Sequence, residues 1–113
     1  MPELAKNEKM MVVRRRLGQS QQERAEILGV PLGRYRQWEM GATNLMYHYR
    51  CPDSELHSVT EAEYLFIKRK RAGFSQREIA EAMGVSDVWV RKMEAGVGNL
   101  KRLQEFWDEA ESN

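Results

Sequence analysis

The chain has 113 residues, 18 basic against 17 acidic, with 42% hydrophobic and 31% charged residues and a mean hydropathy of -0.70. That length allows one ordinary domain or two very small ones, and the near-cancelling charge excludes a uniformly polycationic binder while permitting a locally basic face. No apolar run approaches the ~20 residues needed to cross a bilayer, and the single cysteine, Cys51, excludes an intrachain disulfide and any cysteine-based zinc site. The opening stretch MPELAKNEKMMVVRRR carries charge where a secretion signal has its apolar segment, so a cytoplasmic protein is expected.

The elements come in duplicate. Residues 14–45, RRRLGQSQQERAEILGVPLGRYRQWEMGATNL, align without a gap on residues 69–100, RKRAGFSQREIAEAMGVSDVWVRKMEAGVGNL. The offset is a constant 55 (Gly18 with Gly73, Leu45 with Leu100), and 15 of the 32 pairs are identical, against about two expected by composition alone. In the first copy, Ser20 with Glu23 forms a capping box that opens a helix, and Gly29-Val30 stops it after about two turns. A third helix runs from Pro31 to Glu39, with Tyr35 and Trp38 three apart on one face, and Gly41 ends it. The segment 51–59 reads as a linker. His48 and His57, nine apart with Cys51 and Asp53 between them, match no zinc spacing, so no metal is expected.

In the second copy, Thr60 with Glu63 opens a first helix through Leu65, Ile67 and Arg71, and Gly73 ends it. Ser75 with Glu78 opens a second through Ala80 and Met83, stopped at Gly84-Val85. A third runs from Ser86 to Glu94, with Val90 and Met93 sharing a face, and Gly96 closes it. Beyond the repeat, Leu100, Leu103, Phe106, Trp107 and Ala110 form an apolar stripe at helical spacing. The first copy has no counterpart, since Cys51-Pro52 falls where Phe106-Trp107 would lie and proline interrupts a helix. This stripe is expected to close over copy 2 or to pair with a second chain in a homodimer. No segment alternates as a strand would, so the fold is predicted all-α, with module 1 over 1–50, a linker over 51–59 and module 2 over 60–113.

Two short helices joined through a Gly-Val turn form a helix-turn-helix. The second copy resembles the Cro-type phage-repressor (XRE) family on Gly73, Ser75-Gln76, Ala80, Gly84-Val85-Ser86, Glu94 and Gly96. The first copy carries the same pattern, including Trp38-Glu39. Copy 1 departs from the family at three places: Arg24 stands where copy 2 has Ile79, Pro31 replaces the Ser86 cap, and Gly33 lies inside the third helix. These departures leave two roles for copy 1, base reading or packing and backbone contact.

The resemblance implies that the third helix enters the major groove while the start of the second touches phosphates. Carried over by position, Asp87, Val88, Trp89 and Lys92 would face bases in copy 2. From copy 1 the same positions give Leu32, Gly33, Arg34 and Gln37, of which Gly33 offers only room. Lys92 and Arg34 suit guanine, Gln37 adenine, Asp87 a cytosine amino group and Val88 a thymine methyl. Trp89, read as an exposed aromatic, is open between DNA contact and packing on a neighbouring subunit. Gln21, Gln22, Thr43, Asn44, Gln76, Arg77 and Asn99 fall at phosphate-contacting positions. Arg14 with Glu39, and Arg69 with Glu94, are implied to be internal ion pairs. The basic runs Arg14-Arg15-Arg16 and Lys68-Arg69-Lys70-Arg71 are read first as solvated helix faces.

No nucleophile elbow, phosphate-binding loop or carboxylate pair appears, so neither catalysis nor a cofactor is expected. The function expected is a sequence-specific DNA-binding transcriptional regulator, a repressor of bacterial, phage or mobile-element type, with double-stranded DNA as its partner. The alternatives are a module binding another regulatory protein, as an anti-activator or antitoxin would, and a non-transcriptional phage DNA-binding accessory. From Lys68 to Lys92 the chain carries seven basic residues and three acidic ones, a local basis for counterion release that favours DNA. The outward positions of the two third helices differ almost throughout, so an asymmetric site is expected.

Overall fold

A computed structural model describes residues 4–41, 53, 56 and 58–112. The chain is all-α: seven helices and no strand occur among the described residues. It divides into two compact units, Met1–Ser58 and Val59–Asn113. Unit 1 holds α1 (Lys6–Arg16), α2 (Gln21–Leu28) and α3 (Leu32–Glu39); unit 2 holds α4 (Glu61–Ala72), α5 (Gln76–Met83), α6 (Asp87–Glu94) and α7 (Lys101–Ser112).

The helix starts are fixed locally. The hydroxyls of Ser20, Thr60 and Ser75 accept from the backbone N–H groups of Glu23, Glu63 and Glu78, and each glutamate accepts in return from the cap residue's own N–H. The Ser20 N–H, with its hydroxyl, holds the Glu23 carboxyl below the usual carboxylate range. Ala5 stands in the place of Thr60. It has no hydroxyl, and only the return bond remains, the Ala5 N–H donating to Glu8 Oε1 at 2.8 Å. The duplication therefore reaches back through α1, where buried Met10 and Val12 stand for Leu65 and Ile67. Sequence identity had faded there because only the apolar pattern was kept.

The turn between the second and third helices is the same in both units. Gly29 and Gly84 adopt left-handed backbone (φ 73° and 71°), a conformation costly to any residue with a Cβ. The following valines turn back, Val30 N–H to the Ala25 carbonyl and Val85 N–H to the Ala80 carbonyl, each at 3.0 Å. Both valine side chains pack half-buried against their unit's core.

Unit 1 centres on Met10, Ala25, Tyr35 and Trp38; unit 2 on Leu65, Ile79, Ala80, Val90, Met93, Leu103 and Trp107. Tyr35 and Trp38 stand where unit 2 has the smaller Val90 and Met93. Burial first, then the nearby Glu39 carboxylate, pushes the Tyr35 phenol well above its ordinary range.

The α7 stripe closes over its own unit. Leu103 and Trp107 are buried, Leu100 and Phe106 pack half-buried beside them, and Phe106 meets Trp107 edge to face at 5.4 Å. Only Ala110 of the stripe is left exposed. Leu103 and Trp107 are thus core residues of unit 2.

Arg24, at the place of buried Ile79, is held by Asp53. Its Nε donates to Oδ2 at 2.9 Å and its Nη2 to Oδ1 at 2.6 Å, and the Asp53 carboxylate is almost wholly buried. Asp53 lies in the expected linker 51–59, yet it is a structural residue of unit 1. Asp53→Ala is expected to cost unit 1 about 2–4 kcal/mol, because the guanidinium stays sheltered without its carboxylate. The double variant Arg24→Ile with Asp53→Ala, which restores the copy-2 residue, should regain most of that loss. Hydrogen exchange of the α2 amides measures both; equal protection in parent and Asp53→Ala would remove the pair from the stability of unit 1.

Candidate nucleic-acid interface

The third helix of each unit is fixed by a cluster of one arginine and one glutamine around a buried glutamate. In unit 2, Arg69 Nε donates to Glu94 Oε2 at 2.8 Å and Nη2 to Oε1 at 3.1 Å, while Nη1 donates to the Phe74 carbonyl at 2.9 Å. Gln76 Nε2 adds a bond to Glu94 Oε1 at 3.0 Å. The Arg69–Glu94 pair thus ties the end of α4, the following loop, the start of α5 and the end of α6. Unit 1 repeats the cluster: Arg14 donates to Glu39 at 2.7 and 3.2 Å and to the Gln19 carbonyl at 3.1 Å, and Gln21 reaches Glu39 at 3.1 Å. Burial works against the charge of Arg14, but the Glu39 hydrogen bonds and charge outweigh it and raise its pKa.

Gln21 and Gln76, expected at phosphates, are therefore first of all parts of these clusters. Each bond to glutamate uses one N–H of the amide and leaves the second for another acceptor. Sequence reasoning missed this internal role, although two glutamines at identical register were a signal for it. Gln22 is exposed and bonds to Glu26 at 2.9 Å. Arg77 is 83% exposed, 3.5 Å from Glu81. Asn99 Oδ1 accepts from the Lys101 N–H at 2.9 Å and so caps the start of α7. Thr43 and Asn44 lie outside the described residues.

On α6, Val90, Met93 and Glu94 face inward, while Asp87, Val88, Arg91 and Lys92 are exposed. Trp89 packs within its own unit. It is half-buried against the core of unit 2, with the Arg102 guanidinium 5.7 Å above its ring, and Arg102 also donates to the Met83 carbonyl at 3.3 Å. Its ring is a packing surface because position 89 turns toward α7. Arg91 was not among the expected readers and stands in the open beside Lys92, 3.9 Å from Asp87; its spacing of three from Val88 was the signal. On α3, Gly33, Arg34, Arg36 and Gln37 are exposed and Leu32 is half-exposed. The space around Gly33 is open, with nothing within 4 Å of where a Cβ would be.

The basic run of α4 is largely engaged within unit 2. Lys68 pairs with Glu111 at 3.1 Å and lies over the Tyr64 ring, Lys70 lies over the Phe66 ring, and Arg69 is buried. No cluster of three metal-ligating side chains occurs among the described residues. No helix among them is long and apolar enough to cross a membrane. No family model, curated protein or solved structure matches the chain.

Proposed function

We propose that this chain is a sequence-specific double-stranded-DNA-binding transcriptional regulator built from two tandem helix-turn-helix modules of the phage-repressor type. In this reading α6 and α3 are the recognition helices, and binding near a promoter represses by occluding polymerase. The observation that carries it is the repeated arrangement of an outward third helix, its open face bearing cationic and amide side chains, fixed against the start of the second helix by an Arg–Gln cluster around a buried glutamate. A rigid, exposed, hydrogen-bond-rich helix of this kind suits major-groove edges, where guanidinium, ammonium and amide groups discriminate bases. Exposed basic groups such as Arg77 supply the salt-dependent phosphate term.

A band shift on DNA immediately upstream of the chain's own gene, followed by selection from random duplexes, tests the reading. Lys92→Ala is expected to relax preference at one base position, costing about 1–3 kcal/mol there. Arg77→Ala is expected to weaken all sequences alike and to lower the salt slope by about one. Gln76→Ala is a poorer probe, since it also cuts the buried cluster. A preferred motif that is unchanged in Lys92→Ala removes that residue from base reading, and absence of any selected motif removes the function. Unit 1 also supports a second reading, a module binding another regulatory protein, because Met40 is 83% exposed and Ile27 60% exposed.

A further inference from the structure

The two third helices, paired at the offset of 55, have diverged almost everywhere that they meet solvent. Four pairs of outward positions differ, from Leu32/Asp87 to Met40/Ala95, and Arg36/Arg91 alone is identical. The other identity within these helices, Glu39/Glu94, belongs to the buried clusters and is explained by them. Nothing internal explains the arginine. Arg36 has no ion-pair partner among the described residues, and the carboxylate nearest Arg91, that of Asp87, is replaced by Leu32 in unit 1. Both guanidiniums are exposed. On α6, Val88 and Ala95, seven apart, form the crest of the open face, with Arg91 on one flank and Lys92 on the other. Gly33 and Met40 form the matching crest of α3, so Arg36 occupies the same flank one module earlier.

We infer that Arg36 and Arg91 make one and the same contact in two modules, each bidentate to O6 and N7 of a guanine, so that two otherwise unlike half-sites share a single G·C pair at equivalent positions. This rests on the DNA-binding reading above. Arginine's planar fork matches the guanine edge through two parallel hydrogen bonds, and lysine reaches it as a point charge. A bare preference for positive charge near a helix C-terminus would be met equally by lysine. The choice of variant follows from that difference.

Selection from random duplexes is run on the full chain and on Arg91→Lys and Arg36→Lys, with circular dichroism and thermal unfolding confirming that these exposed substitutions leave the fold intact. The parent should select two unlike half-sites with one common G·C pair. Arg91→Lys should lower the preference for that pair roughly 10- to 100-fold in one half-site only, and Arg36→Lys should do the same in the other. A parental motif that survives in both variants at every position, with binding unchanged or uniformly weaker, overturns the inference and leaves the DNA-binding reading standing. So does a parental motif lacking the shared pair. If the parent selects no motif, both fall together.

Discussion

Glu94→Ala is expected to destabilise unit 2 by about 3–5 kcal/mol. The Glu94 side chain is 1% exposed and that of Arg69 6% exposed. Removing the carboxylate leaves a guanidinium in the interior with its bond to the Phe74 carbonyl but no counter-charge, and it orphans the Gln76 amide as well. The penalty is that of a desolvated, uncompensated charge, which is why truncating one partner costs more than the intact pair contributes. The double replacement Arg69→Met with Glu94→Leu should recover much of the loss, since both groups then become apolar. Urea unfolding of the three proteins decides it. If Glu94→Ala unfolds at the parent's midpoint, the pair is not structural and Arg69 returns to the candidate phosphate contacts. The equivalent Glu39→Ala should cost less, because Arg14 is 23% exposed and water can take over part of the solvation.

Trp107→Ala is expected to cost about 3–5 kcal/mol, through lost burial plus the cavity left behind. The indole is 5% exposed and belongs to the same cluster as Leu65, Ile79, Val90 and Leu103, so its loss opens the side of unit 2 that α7 covers. The consequence should reach the candidate interface. Trp89 packs against this cluster beneath Arg102, and loosening α7 frees the first turn of α6 to shift. Deleting residues 103–113 should have the larger effect of the same kind, and sedimentation should show no loss of a dimer. A truncated chain that stays folded but sediments at half the parent's mass would show instead that α7 joins two chains.

The helix boundaries of the repeat were legible in the sequence because their causes lie within four residues of one another. Ser20 with Glu23, Thr60 with Glu63 and Ser75 with Glu78 close their capping boxes across a single turn, and Gly29 and Gly84 set the left-handed stops. The internal pairing of Arg14 with Glu39 and Arg69 with Glu94 followed from family resemblance, and no local rule would have found it across 25 residues. The start of α1 was not legible, since Ala5 carries no capping hydroxyl and keeps only half of the box.

By itself the sequence determined the duplication, the all-helical class and the places where most helices begin and end, since backbone capping and glycine conformation act between near neighbours in the chain. Only the tertiary structure decided that the α7 stripe covers its own unit, that Arg24 finds Asp53 29 residues away, that Trp89 is a packing surface and that Arg91 stands open on the face of α6. An apolar stripe records that a face must be covered and a sheltered charge that it must be paired; neither records by what. The partner is fixed by distances between segments far apart in sequence, set when the cores close.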